Sequence, residues 1–297
     1  MADNTKIEWA DATWNPIRGC SRVSEGCRHC YAEIVAALDA APGGAYEGLI
    51  ARGGQWNGNI TVVEDVIEQP LRWTRPRKIF VNSMSDLFHE NLPFEIVDRL
   101  FAVMAICAAA DIGHQFQVLT KRSGRMCAYL KSPGTQGRIR AEIDAMLPDL
   151  PKPLSAAAAG PIAWPLANVW IGVSVEDQDC ADVRVPDLLA APAAVRWLSM
   201  EPLLGPVDLT RYPGIESLHW VVVGGESGAK ARPMQAEWPA ALRDQCASLG
   251  IPYLFKQWGE WAPAADKSYG MLLIGKAKAG RLLEGSQHDG YPIHAQG

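Results

Sequence analysis

The feature that most constrains this chain is an alternation of short apolar runs with helical patterns. Most of the runs are continuously apolar, which is typical of parallel strands buried on both faces. A helical pattern over 93–110 places its apolar residues on one face, and another over 236–250 stops at Gly250, a natural C-terminal cap. We expect strands at 78–84, 116–120, 168–175, 195–200, 219–224 and 252–256, and one more within 12–17.

Repetition of strand, helix and strand predicts right-handed βαβ units and a parallel sheet. The chain of 297 residues suits a single α/β barrel domain. We therefore predict an α/β fold, a parallel partial TIM-like (β/α)6 barrel over 1–262, with a doubly wound open sheet as the rival. Three further segments are expected: a cysteine loop (19–31), a long proline-rich connection (148–165) and a C-terminal extension (263–297). The extension either adds a small sheet or is partly disordered.

Composition excludes several classes of protein. Lys and Arg total 28 against 33 Asp and Glu, so the net charge of −5 gives no global attraction to nucleic acid. A local basic stretch at 72–78 is more simply interpreted as a solvated loop than as a nucleic-acid-binding segment. No apolar run approaches the roughly 20 residues of a membrane span, and the N-terminus lacks the apolar core of a signal peptide. We expect a cytoplasmic protein with no membrane partner.

Three of the seven cysteines stand close together in the cysteine loop: Cys20, Cys27 and Cys30. In a reducing compartment they are not expected to form disulfides. Three interpretations are open at this point. The cysteines are incidental, or they bind structural zinc with His29 or a distant residue as fourth ligand, or they bind an iron–sulfur cluster. Three cysteines on a four-iron cluster would leave one iron open for an external ligand.

Polar residues follow every expected strand, at the end where parallel α/β folds bind their ligands. Motifs for phosphate loops, dinucleotide binding, serine hydrolases and zinc proteases are absent from the sequence. The candidate binding residues at these strand ends are Ser85, Asp86, Lys121, Ser174, Glu176, Glu201 and Glu226. No catalytic residue stands out.

Taken together, several segments carry a resemblance to a known family: IEWADATWNPIRGC, CRHCYAE, IFVNSMSDLFHE, FQVLTKR, NVWIGVSVEDQ, SMEPLLGP, VVVGGESG and FKQWGEW. They resemble a phage-associated bacterial family of radical-S-adenosylmethionine-like proteins, distantly related to spore photoproduct lyase. The match extends to about Trp261. The common spacing in radical S-adenosylmethionine (SAM) proteins is C-x3-C-x2-C, whereas this chain has C-x6-C-x2-C.

The resemblance implies a [4Fe–4S] cluster held by Cys20, Cys27 and Cys30, with SAM on the open iron. An external electron donor would drive reductive cleavage of SAM to a 5′-deoxyadenosyl radical. By position, Ser85 and Asp86 resemble the residues that take the methionyl amine, and Lys121 resembles the lysine that pairs with the carboxylate. Contacts to ribose are implied for Ser174 and Glu176, and contacts to substrate or cofactor for Glu201 and Glu226.

We therefore predict a radical-SAM-type enzyme, a lyase or transferase. Its substrate is unknown, and the kinship with the lyase suggests a nucleic acid lesion or a nucleotide. The alternative is a metal-stabilised barrel that binds nucleic acid or a protein partner without radical chemistry. A third hypothesis is a barrel enzyme without metal whose cysteines are incidental.

Overall fold

The computed structural model describes residues 5, 7–264 and 270–292. Its strands are β1 (Ala12–Trp14), β2 (Ile17–Arg18), β3 (Thr61–Val62), β4 (Lys78–Val81), β5 (Gln115–Thr120), β6 (Val169–Ser174), β7 (Val195–Met200), β8 (Trp220–Gly224), β9 (Tyr253–Gln257), β10 (Trp261–Pro263) and β11 (Met271–Leu273). Its helices are α1 (Tyr31–Ala37), α2 (Glu64–Ile67), α3 (Phe94–Ala109), α4 (Ser123–Lys131), α5 (Thr135–Met146), α6 (Lys152–Ala158), α7 (Gln178–Ala190), α8 (Glu237–Leu249) and α9 (Lys276–Ala279).

Seven parallel strands form the main sheet in the order β1-β4-β5-β6-β7-β8-β9. The order follows the chain without reversal, as in a TIM-type barrel, whereas a doubly wound sheet reverses its order at a switch point. The predicted fold class, a parallel α/β fold of partial TIM-like topology, is therefore confirmed. The strand expected within 12–17 is β1, which makes seven strands rather than six.

The chain divides into two compact units, and the first comprises residues 1–21, 32–171 and 190–195. Its core includes the apolar face of α3, which packs against α5 and α6. Phe101 on this face lies 5.3 Å from the ring of Tyr129. The Tyr129 hydroxyl donates to the buried Asp98 carboxylate, which Arg138 neutralises at 2.8 Å. The Asp98 carboxylate thus ties three helices of this unit together.

The second unit comprises residues 22–31, 172–189 and 196–297. Strand β8 is buried along its whole length, and α8 packs against β8 and β9. As expected, α8 ends at Gly250, which adopts a left-handed conformation with φ 69°. A Cβ atom at Gly172 of β6 would lie 2.4 Å from the indole ring of Trp197, so only glycine leaves room for that ring.

Regular secondary structure forms in two of the expected segments, and in the C-terminal extension it is the small sheet that was one of the two alternatives. Helix α6 forms within the proline-rich connection at 148–165, and Pro151 precedes it in the extended conformation that suits a helix start. In the C-terminal extension, β11 pairs with β10 in an antiparallel ribbon, and Asp289 bridges to Leu254 of β9. Residues 265–269 and 293–297 of the extension lie outside the described residues.

None of the helices in the described part of the chain is both long enough and apolar enough to cross a membrane.

Candidate functional site

In the first unit, a buried arginine stands at the centre of the polar cluster that follows β4 and β5. Arg122 Nη1 lies 3.0 Å from Asp86 Oδ2, and Arg122 Nε lies 2.8 Å from Glu90 Oε2. The other side of the guanidinium faces the cysteine loop: Nη1 lies 3.8 Å from Cys20 Sγ, and Nη2 donates to the carbonyl and hydroxyl oxygens of Ser21. Burial alone would lower the pKa of Arg122, but Asp86 and Cys20 raise it above its usual value. The arginine therefore remains charged and fixes the loop beside Cys20.

Asp86 is fully engaged by protein donors. Its carboxylate accepts hydrogen bonds from the Phe88 backbone N–H at 2.9 Å, the Thr120 hydroxyl at 2.7 Å and the Lys121 backbone N–H at 3.1 Å, besides Arg122 at 3.0 Å. These four bonds leave little capacity for a ligand amine. The geometry instead makes Asp86 the partner of Arg122 and of the turn after β5. The side chain of Lys121 is partly exposed.

His89 is held as a neutral hydrogen-bond donor toward the cysteine loop. The Asn91 backbone N–H donates to His89 Nδ1 at 3.1 Å, so the proton sits on Nε2, which lies 2.9 Å from the Ser21 hydroxyl. Burial, with Arg122 nearby, lowers the pKa of His89. Because its Nε2 donates, His89 does not act as a base on Ser21, and a serine-hydrolase arrangement is excluded for this pair.

The chain on either side of Cys20 is anchored within the same unit. The Ser85 hydroxyl donates to the Ile17 carbonyl at 3.0 Å, and Ser85 forms a parallel bridge with Gly19. Gly19 has φ 95°, and a Cβ atom there would lie 2.1 Å from the Asn59 carbonyl oxygen. Ser85, predicted to contact a ligand amine, thus fixes the start of the cysteine loop.

In the second unit, Glu176 is 0% exposed and holds the middle of the cysteine loop. The Ser24 hydroxyl donates to Glu176 Oε1 at 3.0 Å, and Arg184 pairs with Oε2 at 2.8 Å. Arg184 also donates to the Ser174 carbonyl at 2.8 Å. A Cβ atom on Gly26 would lie 2.4 Å from the Glu176 side chain.

Glu226 holds the next part of the loop in the same unit. Arg232 Nη2 lies 2.6 Å from Glu226 Oε1, and the backbone N–H and Nε of Arg232 donate to Oε2. His29 Nδ1 lies 3.2 Å from Glu226 Oε2, and Arg232 Nη2 also donates to the Glu25 carbonyl at 2.9 Å. Burial alone would raise the pKa of Glu226, but the hydrogen bonds from Arg232 and His29 hold it below its usual value.

Glu201 belongs to a separate polar cluster of the second unit. Lys256 Nζ lies 3.0 and 3.1 Å from the two carboxylate oxygens, and Gln257 Nε2 donates to Oε1 at 3.2 Å. Unlike Glu176 and Glu226, the Glu201–Lys256 pair is partly exposed at the ends of β7 and β9. This pair therefore keeps some of its surface accessible at the end of the sheet where parallel α/β folds bind their ligands.

The seven cysteines form no disulfide. Cys20, Cys27 and Cys30 are partly exposed, and a short helical turn over Glu25–Cys27 carries Cys27 toward the start of α1. Cys27 Sγ lies 4.0 Å from the Ser24 hydroxyl oxygen. Among the described residues, no three His, Cys, Asp or Glu side chains are grouped as ligands of a single metal ion.

Six further residues complete these clusters, and none of them was predicted from the sequence as a site residue. They are Ser21, Ser24, His89, Arg122, Arg184 and Arg232. Arg122 carried the best signal, because it directly follows Lys121 at the end of β5. Arg184 lies within α7 and Arg232 in a loop, and neither position signals a partner in the sequence.

A parallel α/β fold with a cysteine loop and charged strand ends defines the class of this protein. Residues 4–292 match the family model described as "Protein of unknown function (DUF5131)", so the chain belongs to that family. No curated protein and no solved structure matches the chain.

Proposed function

We propose that this protein is a radical-SAM-type iron–sulfur enzyme in which Cys20, Cys27 and Cys30 hold a [4Fe–4S] cluster. One observation carries the proposal: in each unit, buried arginine–carboxylate pairs at the strand ends contact residues of the cysteine loop. Burying charge is expensive unless it is paired, so such pairs around one loop indicate that its conformation matters.

The donor set fits such a cluster by its chemistry. Three cysteines outside disulfides lie within residues 20–30, and each is partly exposed. The Arg122 guanidinium, 3.8 Å from Cys20 Sγ, suits an anionic thiolate.

For SAM, the contacts favour some of the predicted residues over others. Lys121 stays the candidate for the SAM carboxylate, because its side chain is partly exposed at the end of β5. Asp86 acts through Arg122, since its oxygens already accept four hydrogen bonds. When bound, the cluster and SAM would supply reductive bond cleavage, with electrons from an external donor. The chain's own contribution is to orient the loop.

The substrate stays a prediction, with a nucleic acid lesion or a nucleotide as the class that the resemblance suggests. The basic stretch at 72–78 adds little to it. Arg72 lies 3.9 Å from Glu68, and Arg77 stacks over the Trp73 ring at 4.7 Å. The alternative of a metal-stabilised binding protein has no specific contact in its favour.

Iron content tests the ligand assignment. Protein purified without oxygen should hold about four irons and four sulfides per chain, and Cys20→Ala, Cys27→Ala or Cys30→Ala should lower that content sharply. Cys127→Ala is the matched control, because Cys127 is also partly exposed but lies on α4, outside the loop. Zinc in place of iron, or equal iron in all four variants, would contradict the assignment.

A further inference from the structure

We propose that Glu176 and Glu226 are positioning residues that lock residues 24–29 of the second unit into one conformation, so that Cys27 and Cys30 are presented in fixed places. The functional reason for holding these residues rests on the proposed function, but the contacts themselves do not need a bound cluster. Both glutamates then have a role different from the ligand contacts implied by the family resemblance.

Glu176 holds the first part of this stretch by a hydrogen bond and by packing. Ser24 donates to its carboxylate at 3.0 Å, and Arg184 balances its charge at 2.8 Å. Gly26 rests against the same side chain so closely that any Cβ atom would collide with it. The short turn Glu25–Cys27 starts from these two contacts, with the Cys27 backbone N–H donating to the Ser24 carbonyl at 3.0 Å.

Glu226 holds the second part through two routes. It accepts directly from His29 Nδ1 at 3.2 Å. Arg232, which Glu226 fixes with three hydrogen bonds, donates to the Glu25 carbonyl at 2.9 Å. Cys27 is thus flanked on both sides by residues that buried carboxylates hold.

The carboxylate oxygens are used by the protein itself. Glu226 is 5% exposed and accepts four hydrogen bonds from Arg232 and His29, and Glu176 accepts from Ser24 and Arg184. The hydroxyls of a ribose would have to displace these donors. Little acceptor capacity is left over, which is what a positioning residue requires and a ligand contact does not.

The same contacts hold part of the long gap between the first two cysteines. The gap between Cys20 and Cys27 is three residues longer than the common one, and Ser24, Glu25 and Gly26 lie within it. All three are contacted by Glu176 or by Arg232. Three of the six residues in this gap are therefore held by contacts within the second unit.

The test uses conservative pairs of variants on metal-free protein. Ser24→Ala removes the hydroxyl that binds Glu176, whereas Ser24→Thr keeps it, and Glu226→Gln removes the charge that fixes Arg232. In Ser24→Ala and Glu226→Gln, we expect amide exchange over residues 22–31 and alkylation of Cys27 and Cys30 by iodoacetamide to quicken about tenfold. Ser24→Thr should restore the wild-type rates, and exchange in α3 should stay unchanged in all variants.

The outcomes separate this proposal from the proposed function. Unchanged exchange and alkylation in folded Ser24→Ala and Glu226→Gln would overturn the positioning roles, whatever the iron content. If the variants loosen the loop while the wild-type protein binds no iron, the positioning stands and the iron–sulfur assignment fails. If wild type binds iron, Ser24→Ala should bind less and Ser24→Thr should match wild type.

Discussion

At the scale of single residues, Gly26 shows how close the cysteine loop lies to a buried charge. A Cβ atom at this position would lie 2.4 Å from Glu176. We expect Gly26→Ala to lower the free energy of unfolding by about 1–3 kcal/mol, because Glu176 or the loop must move. Gly53→Ala is the control, since Gly53 is exposed and a Cβ atom there would meet no atom within 4 Å. Chemical denaturation of both variants measures the difference, and equal stabilities would show that the loop is not tightly packed on Glu176.

The thiols should react according to their surroundings. Burial raises the pKa of Cys107 and Cys246 to about 12, and burial together with Glu176 raises the pKa of Cys180 to about 12. The thiolate is the reactive form, so at pH 8 these three should alkylate far more slowly than Cys20 beside Arg122. Mass spectrometry of alkylated peptides gives the alkylation rate of each cysteine. In unfolded protein, these rates should become similar. Fast labelling of Cys180 in folded protein would contradict its raised pKa.

His89 should make stability depend on pH. Burial and the charges of Arg122 and Arg125 lower its pKa from 6.5, and together they outweigh Glu90 and Asp86, which raise it. The unfolded chain therefore binds more protons between the two pKa values, and the stabilisation present above pH 6.5 is lost as pH falls. We expect the free energy of unfolding of metal-free protein to decrease from pH 7.5 toward pH 5.5, with a smaller decrease in His89→Gln.

His114 also contributes to this pH dependence. Burial lowers its pKa, although the hydrogen bond to the Pro70 carbonyl opposes the shift. It lies away from the cysteine loop in the same unit, hydrogen-bonded to the Pro70 carbonyl. His89→Gln should therefore keep part of the decrease. A pH profile identical to that of the wild type would show that His89 is not held neutral.

At the scale of elements, the strands were predictable and the helices less so. Continuous apolar runs identified the strands within a few residues, because burial on both faces leaves little else in their composition. Helix α3 was predicted from its one-sided apolar pattern. Helix α6 was not, because its alanines and prolines resemble a connection and its stability comes from packing against α3.

The packing of α3 gives a direct test of the first unit. Phe101 is 1% exposed and contacts the rings of Tyr129 and Trp164. We expect Phe101→Ala to lower the free energy of unfolding by about 3–5 kcal/mol, since it removes transfer energy and leaves a cavity. Leu38→Ala, at a position 85% exposed, should change it by less than about 0.5 kcal/mol. Similar losses from the two variants would contradict the placement of α3 in the core.

At the scale of the whole molecule, sequence and structure contribute different kinds of information. The sequence predicted the topology and the carboxylates at the strand ends, since parallel strands place their carboxyl ends at one edge. It did not predict that Asp86, Glu176 and Glu226 bind arginines of this chain. Those partners, Arg122, Arg184 and Arg232, come together only through the fold, so a ligand contact and an internal ion pair give the same signal in the sequence.

Membership of the family extends over residues 4–292, so the cysteine loop and the whole sheet belong to one family fold. In each unit, arginine–carboxylate pairs contact residues of that loop. A loop held in this way is expected to carry the chemistry of the molecule.

Reductive cleavage of SAM is the measurement that tests the radical-SAM assignment most directly. Protein purified without oxygen is reduced with dithionite in the presence of SAM, and 5′-deoxyadenosine is quantified against a Cys27→Ala control. We predict 5′-deoxyadenosine from the wild-type protein and none above background from the control. Four irons per chain without any 5′-deoxyadenosine, or equal amounts from both proteins, would contradict the assignment.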